Sequence, residues 1–236
     1  MTNASRPAQR TRIKICGLTR EEDVDTAVAA GADAIGFVLY KLSPRYVTPE
    51  RAAELSQRLP PFVTPVLLFV NEKATNIIAA KAINKRSIAQ FHGDETPQQC
   101  NAVGLPYMRA ARIPIGEEAA SFDLLKYVHD YSQAQAILLD ALVEGYGGGG
   151  KTFNWSMLPT NVDAHLVLSG GLNAANVTDG ILQVRPRCKT LSVDVSSGVE
   201  ATDAQGNVIK GIKDAHKIHQ FVQAVRAADE QFNQTI

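Results

Sequence analysis

The sequence predicts an α/β fold, a single closed (β/α)8 TIM barrel, and three observations carry that prediction. Eight short apolar segments alternate with helically periodic ones, which is the pattern of a parallel sheet covered by helices on its outer face and wound in one direction by right-handed crossovers. The first segment lacks the glycine-rich turn that opens a doubly wound nucleotide-binding sheet, because only Gly17 follows Cys16. Polar residues gather at the ends of the segments, where barrel enzymes keep their sites. An open doubly wound sheet is the alternative. With 236 residues and 45% hydrophobic content the chain can bury one large core in one domain.

Taken in order, Arg12-Ile13-Lys14-Ile15-Cys16-Gly17-Leu18-Thr19 opens with a strand in which Ile13 and Ile15 share one side and Lys14 and Cys16 the other. Thr19 is placed to cap a helix over 20–30, with Val24, Ala27 and Val28 at helical spacing and Gly31 closing it. Alternation and β-branched content predict further strands at 34–40, 64–70, 88–92, 107–112, 136–140, 165–169 and 190–196. Helical spacing predicts helices at 49–58, 74–84, 96–102, 121–131, 173–183 and 211–228, with only a short turn at 154–158. The polar run 201–210 reads as an insertion before the last helix. No low-complexity linker breaks the series. Residues 1–10 are too polar to pack and read as a disordered extension, leaving 11–236 as the barrel domain.

Composition excludes several classes of partner. Lys+Arg and Asp+Glu are both 24, so no net field draws nucleic acid or an anionic membrane, although a local cationic site can still hold one phosphate. The three cysteines, Cys16, Cys100 and Cys188, are odd in number and form no CxxC pair, against a disulfide framework or structural zinc. A reducing cytoplasm is the expected compartment. The start carries no apolar signal-peptide run, and no stretch reaches the roughly 18 apolar residues of a membrane span.

The strand ends supply the candidate chemistry: Lys14 and Cys16 on the first, Gln90 and His92 on the fourth, Asp140 on the sixth, Ser192, Asp194 and Ser196 on the eighth. Within each strand these share one parity, and their neighbours Ile13, Ile15, Phe91, Leu139, Val193 and Val195 are apolar, so a polar inner face near the barrel mouth is expected. Cys16 is either a small buried hydrophobe or, beside the Lys14 cation, an activated thiolate. Lys14 is either a Schiff-base lysine or a buried cation paired with Asp194. Asp140 is either a loop cap or a general acid. His92, with no second histidine nearby, does not suggest a metal site, and His216 and His219 read as solvated. Arg45, in Ser43-Pro44-Arg45-Tyr46, suits a substrate carboxylate or is a solvated loop charge.

The glycine-bearing turns are the most specific feature. Ser169-Gly170-Gly171-Leu172-Asn173 follows the seventh strand and Ser196-Ser197-Gly198-Val199-Glu200 the eighth. Loops there commonly bind phosphate through backbone N–H groups that glycines expose. A phosphorylated small molecule is implied. Gly147 to Gly150, followed by Lys151 and Thr152, lacks P-loop spacing and reads as a mobile loop over the pocket or a plain flexible connection.

The ordered set KICGLT, ADAIGFVL, SPRYV, LLFVN, QFHGDE, LLDA, LSGGLNAANV and VDVSSGVE, spanning about Arg12 to Phe221, resembles the phosphoribosylanthranilate isomerase family of tryptophan biosynthesis. That resemblance implies an Amadori rearrangement of N-(5-phosphoribosyl)anthranilate, with Cys16 as general base and Asp140 as general acid. It also implies that Arg45 binds the anthranilate carboxylate and that Gly170, Gly171, Ser196, Ser197 and Gly198 hold the phosphate, with His92 and Asp194 at pocket positions. The implied protein acts on a small phosphosugar as a monomer or homodimer, without cofactor or metal, because no electron moves and no group is lost. Two positions depart from the family pattern: a glycine stands where its GGTG loop carries Thr, and Asn154 replaces the Asp of its Phe-Asp-Trp element. Neither departure removes Cys16 or Asp140. Among rival barrels, an indole-glycerol phosphate synthase or a pentose-phosphate epimerase would want a lysine after strand six or paired metal ligands. A non-catalytic phosphosugar-binding barrel would not need Cys16 or Asp140.

Overall fold

The computed structural model describes residues 10–142 and 152–234. The expected loop at Gly147 to Gly150 and residues 1–9 of the expected extension lie outside them. Eight parallel strands close into a barrel in the order of the chain: β1 Arg12–Cys16, β2 Ala34–Val38, β3 Thr64–Phe69, β4 Ile88–Phe91, β5 Tyr107–Ile113, β6 Ala136–Ala141, β7 Val162–Leu168 and β8 Cys188–Val195. Helices α1 Glu21–Ala30, α2 Pro49–Ser56, α3 Ala74–Ile83, α4 Pro97–Ala102, α5 Leu124–Asp130, α6 Val177–Val184 and α7 Ala215–Gln234 cover it. Among the described residues between β6 and β7 the chain forms a 3-10 turn, Trp155–Met157, where the sequence predicts a short turn.

The parity read from the sequence separates two cores. Ile13, Ile15, Phe91, Leu139, Val193 and Val195 face the helices and join the main core, essentially out of water. Each such side chain contributes about 1.5–3 kcal/mol of burial free energy. The opposite parity fills the barrel with two smaller apolar groups, Cys16 with Val38, Leu68 and Val70, and Ala110 with Leu138 and Val167. The polar residues of that inner face are stacked toward the mouth.

Local chemistry explains the element ends. Thr48 and Thr96 cap α2 and α4, the latter in a full capping box with Gln99, and Asp123 caps α5. Asn154 caps its 3-10 turn by accepting from the Ser156 amide, so the Asn in place of Asp preserves that function. Gly31 ends α1 in the left-handed region at φ 98°.

Three expectations are corrected. Thr19 does not cap α1: Arg20 holds that position, and the Thr19 hydroxyl donates instead to the Gly211 carbonyl at 2.9 Å. The segment 173–176 precedes α6, because the Asn173 and Asn176 side chains accept from nearby amides in a turn. Between β8 and α7 the chain forms a hairpin, β9 Glu200–Thr202 paired antiparallel with β10 Val208–Lys213, so most of the polar insertion and the first residues of the expected helix are a β-ribbon. Alternating Ile209, Gly211 and Lys213 had too few apolar positions to signal it. At the opposite end of the barrel the Thr11 amide donates to both oxygens of Asp229, joining the start of β1 to α7. Arg10 pairs with Asp33 at 2.7 Å.

Candidate active site

Closure of the barrel pairs β1 with β8 in a register that sets Lys14 beside Asp194. Their side chains form a buried ion pair at 2.9 Å, so of the two readings of Lys14 the paired cation holds. Burial opposes the Lys14 charge, yet Asp194 and the neighbouring Cys16 together hold its ammonium above the ordinary lysine value. Cys16, two residues on, is 4% exposed. Burial pushes its thiol up, Asp194 adds to that, and Lys14 pulls the other way. Space for these two side chains comes from Gly36 on β2, where a Cβ would stand 2.6 Å from the Cys16 sulfur and 3.0 Å from the Lys14 nitrogen.

Asp140 stands near the end of β6, three strands from β1 around the barrel. Its Oδ1 accepts from the Ala141 amide at 2.9 Å, and Oδ2 lies 3.1 Å from His92 Nε2. His92 Nδ1 lies 3.1 Å from the amide nitrogen of Gln90, which is wholly buried and whose Oε1 has no partner among the described residues. Such a chain has two proton arrangements. With the Gln90 amide donating to Nδ1, the imidazole donates to an ionised Asp140. With the amide turned over, Nδ1 donates to Oε1 and Nε2 accepts from a protonated Asp140.

The β4 loop that carries His92 is held from below by Arg109, which the sequence did not single out. Its guanidinium donates to the carbonyls of Phe91 and Gly93, each at 3.0 Å, pairs with Glu95, and lies over the rings of Tyr127 and Tyr131. Glu95 in turn accepts from the Gly93 amide at 2.9 Å. An arginine in the middle of an apolar strand was the available signal.

Arg45 is buried, not solvated. It donates through Nε and Nη2 to Glu200 at 2.6 and 2.8 Å, which leaves Nη1 outside that bidentate pair. Glu200 also accepts from the Gly211 amide and from Lys213. Neither Glu200 nor Lys213 was a sequence candidate, because their meeting depends on the unforeseen hairpin.

The two glycine turns come together at the mouth. Gly170 and Gly171 take φ of 79° and 63°, and Gly170 lies so close to Asp140 that a Cβ would be 2.7 Å from Oδ1. Ser197 and Gly198 open a short 3-10 turn after Ser196. A Cβ at Gly198 would overlap the Leu172 carbonyl, so the bare backbone lets the β8 turn pack on the β7 turn. The Ser196 hydroxyl donates to the Cys16 carbonyl at 3.1 Å, linking the same turn to β1. All five turn residues are half-buried. His216 and His219 are exposed on α7, away from this arrangement. Among the described residues no His, Cys, Asp and Glu cluster is placed to bind a metal, and no helix is long and apolar enough to cross a membrane.

This geometry has close parallels. The family model described as N-(5'phosphoribosyl)anthranilate (PRA) isomerase matches residues 13–224. A relative from Methylibium petroleiphilum, an N-(5'-phosphoribosyl)anthranilate isomerase, is 60% identical over 220 residues, covering 93% of this chain and 96% of its own. The solved phosphoribosyl anthranilate isomerase from Thermotoga maritima is 38% identical, with a TM-score of 0.77 over 92% of this chain and 99% of that one. A solved isomerase in complex with reduced 1-(o-carboxyphenylamino)-1-deoxyribulose 5-phosphate is 35% identical, with a TM-score of 0.72 over the same shares of the two chains.

Proposed function

The chain belongs to the phosphoribosylanthranilate isomerase family, and from that premise we propose that Cys16 is the general base and Asp140 the general acid of its reaction. The protein is an isomerase of tryptophan biosynthesis that converts N-(5-phosphoribosyl)anthranilate to 1-(2-carboxyphenylamino)-1-deoxyribulose 5-phosphate by an Amadori rearrangement. The observation that carries the assignment is the separation of the two groups on the barrel mouth: Cys16 sits with Lys14 and Asp194, Asp140 with His92 and Gln90.

Asp140, protonated, gives its proton to the furanose ring oxygen, and the aminal opens to an iminium. Cys16 as thiolate then takes the proton from C2', giving an enolamine that tautomerises to the ketone. Burial makes the thiol a weaker acid, so its thiolate is a stronger base toward a carbon-bound proton, while Lys14 supplies the charge that stabilises it. Each proton transfer contributes about 10² to 10⁴-fold. The turns at Gly170, Gly171, Ser196, Ser197 and Gly198 hold the phosphate, and the free edge of Arg45 takes the anthranilate carboxylate, which fixes both ends of the substrate against the two groups.

The protein acts as a monomer or a homodimer, and a solved family member described as dimeric, from Thermotoga maritima, is 34% identical to this chain. The site calls for a small phosphosugar and for neither nucleic acid nor membrane, and we place the protein in the cytoplasm, where its substrate would be made. Turnover of freshly generated phosphoribosylanthranilate, followed by loss of its fluorescence, tests the reading. Wild type should turn over, and Cys16→Ser and Asp140→Asn should each lower kcat by about 10² to 10⁴-fold while folding normally. Near-normal kcat in either variant removes that residue from its role.

A further inference from the structure

The roles above leave one buried cation unused. Lys213, the last residue of β10, has its side chain fully out of water. Its ammonium donates to the Ser196 carbonyl at 3.0 Å, approaches Ser196 Oγ at 3.4 Å and pairs with Glu200 Oε1 at 3.2 Å. The same carboxylate already accepts both bonds of Arg45. Two cations therefore share one anion, and the cluster carries one net positive charge.

A second buried lysine in the same barrel shows what this costs. Lys14 has Asp194 as its own partner, and its ammonium is held above the ordinary lysine value. For Lys213, burial is the largest influence and pushes the ammonium down, Arg45 adds to that, and Glu200 does not make up the difference. An incompletely compensated charge in a protein interior does not stabilise the fold. It suits a place that receives its missing anion from outside, and this one lies directly behind Ser196, the first residue of the β8 turn.

Resting on the reading of that turn as a phosphate site, we propose that Lys213 is a positioning residue that supplies the positive charge of the site from behind Ser196. The phosphate end of the substrate then completes a cluster that Glu200 alone leaves short of negative charge. The ribbon of β9 and β10 is the device that delivers this charge, because it folds Lys213 back under the turn that precedes it in the chain.

Lys213 also acts electrostatically on Cys16, so turnover alone does not isolate its role. The probes are inorganic phosphate and anthranilate, each measured as an inhibitor of the isomerase, in wild type and in Lys213→Met, Lys213→Gln and Lys213→Arg. Removing Lys213 leaves Glu200 paired with Arg45, so no carboxylate is orphaned. The inhibition constant for phosphate should rise about tenfold in both the Met and the Gln variants and stay within about threefold in Arg, while that for anthranilate changes less than about twofold. The Gln variant keeps an N–H donor but loses the charge, so a merely structural role would spare it or would weaken both probes alike. If the Met variant does not fold, Gln and Arg decide. Unchanged phosphate inhibition in a folded Gln variant overturns the role of Lys213 alone. Failure of phosphate to compete in the wild type would remove the phosphate-turn reading, and this proposal with it.

Discussion

His92 Nε2 stands 3.1 Å from Oδ2 of Asp140, with the Gln90 amide closing the far side of the ring, so the proposed acid is held by a partner whose own tautomer is adjustable. His92→Leu removes both bonds at similar volume. We expect kcat to fall by about ten- to a hundredfold with KM within about threefold, since Asp140 remains but its direction is no longer fixed. His92→Gln should recover part of the loss. Steady-state kinetics of the two variants check this, and equal kcat for both would detach His92 from positioning.

The Lys14–Asp194 pair should be expensive to break from one side. Lys14→Met leaves a carboxylate buried without its cation, for which about 3–5 kcal/mol of destabilisation is expected. The double variant Lys14→Met/Asp194→Leu should regain much of that. Urea denaturation of the single and double variants measures both quantities.

Acid should unfold this protein partly through Glu200. Burial acts to raise its carboxyl, but Arg45, Lys213 and the Gly211 amide outweigh burial and hold it below the ordinary glutamate value of 4.5. A depressed carboxylate contributes stability that is present above that value and is lost as pH falls through the folded one. Glu200→Gln should therefore cost about 3–5 kcal/mol near neutrality, and the gap between wild type and variant should hold above the ordinary glutamate value of 4.5 and narrow as pH falls below it. Denaturant titrations across that range check the sign.

Gly36 has no room for a side chain. Gly36→Ala would press a methyl against the Cys16 sulfur and the Lys14 nitrogen, at 2.6 and 3.0 Å, and against the Cys16 backbone, at 3.0 Å. Displacement of the proposed base should reduce kcat about tenfold or more, and overpacking should cost about 1–3 kcal/mol. Kinetics and thermal melting together separate the two effects.

The barrel was legible because its signals are local and repeated: apolar alternation along each strand, helical spacing between strands, glycine after α1. Cys16, His92, Asp140 and Asp194 were legible for a related reason, since parity alone places a polar residue at a strand end on the inner face. Glu200 and Lys213 were not, because their positions follow from a ribbon with little apolar alternation, and each finds its partners across the fold. Arg45 is half legible: its loop and charge mark it in the sequence, but that two of its three nitrogens are already taken by Glu200 follows only from the fold. Thr19 misled because a capping residue type beside a helix start is also suited to an unrelated carbonyl, here that of Gly211.

The seam between β1 and β8 also has a bearing on biosynthesis. Lys14 and its counter-ion are 180 residues apart in the chain, so the strand that carries the proposed base emerges from the ribosome long before Asp194 exists to neutralise its lysine. Until the eighth strand arrives that ammonium is better left in water, and β1 has no reason to commit to a closed barrel. A nascent chain stopped short of Asp194 should therefore be trapped by chaperones as an open sheet, with its first strand readily clipped by proteases.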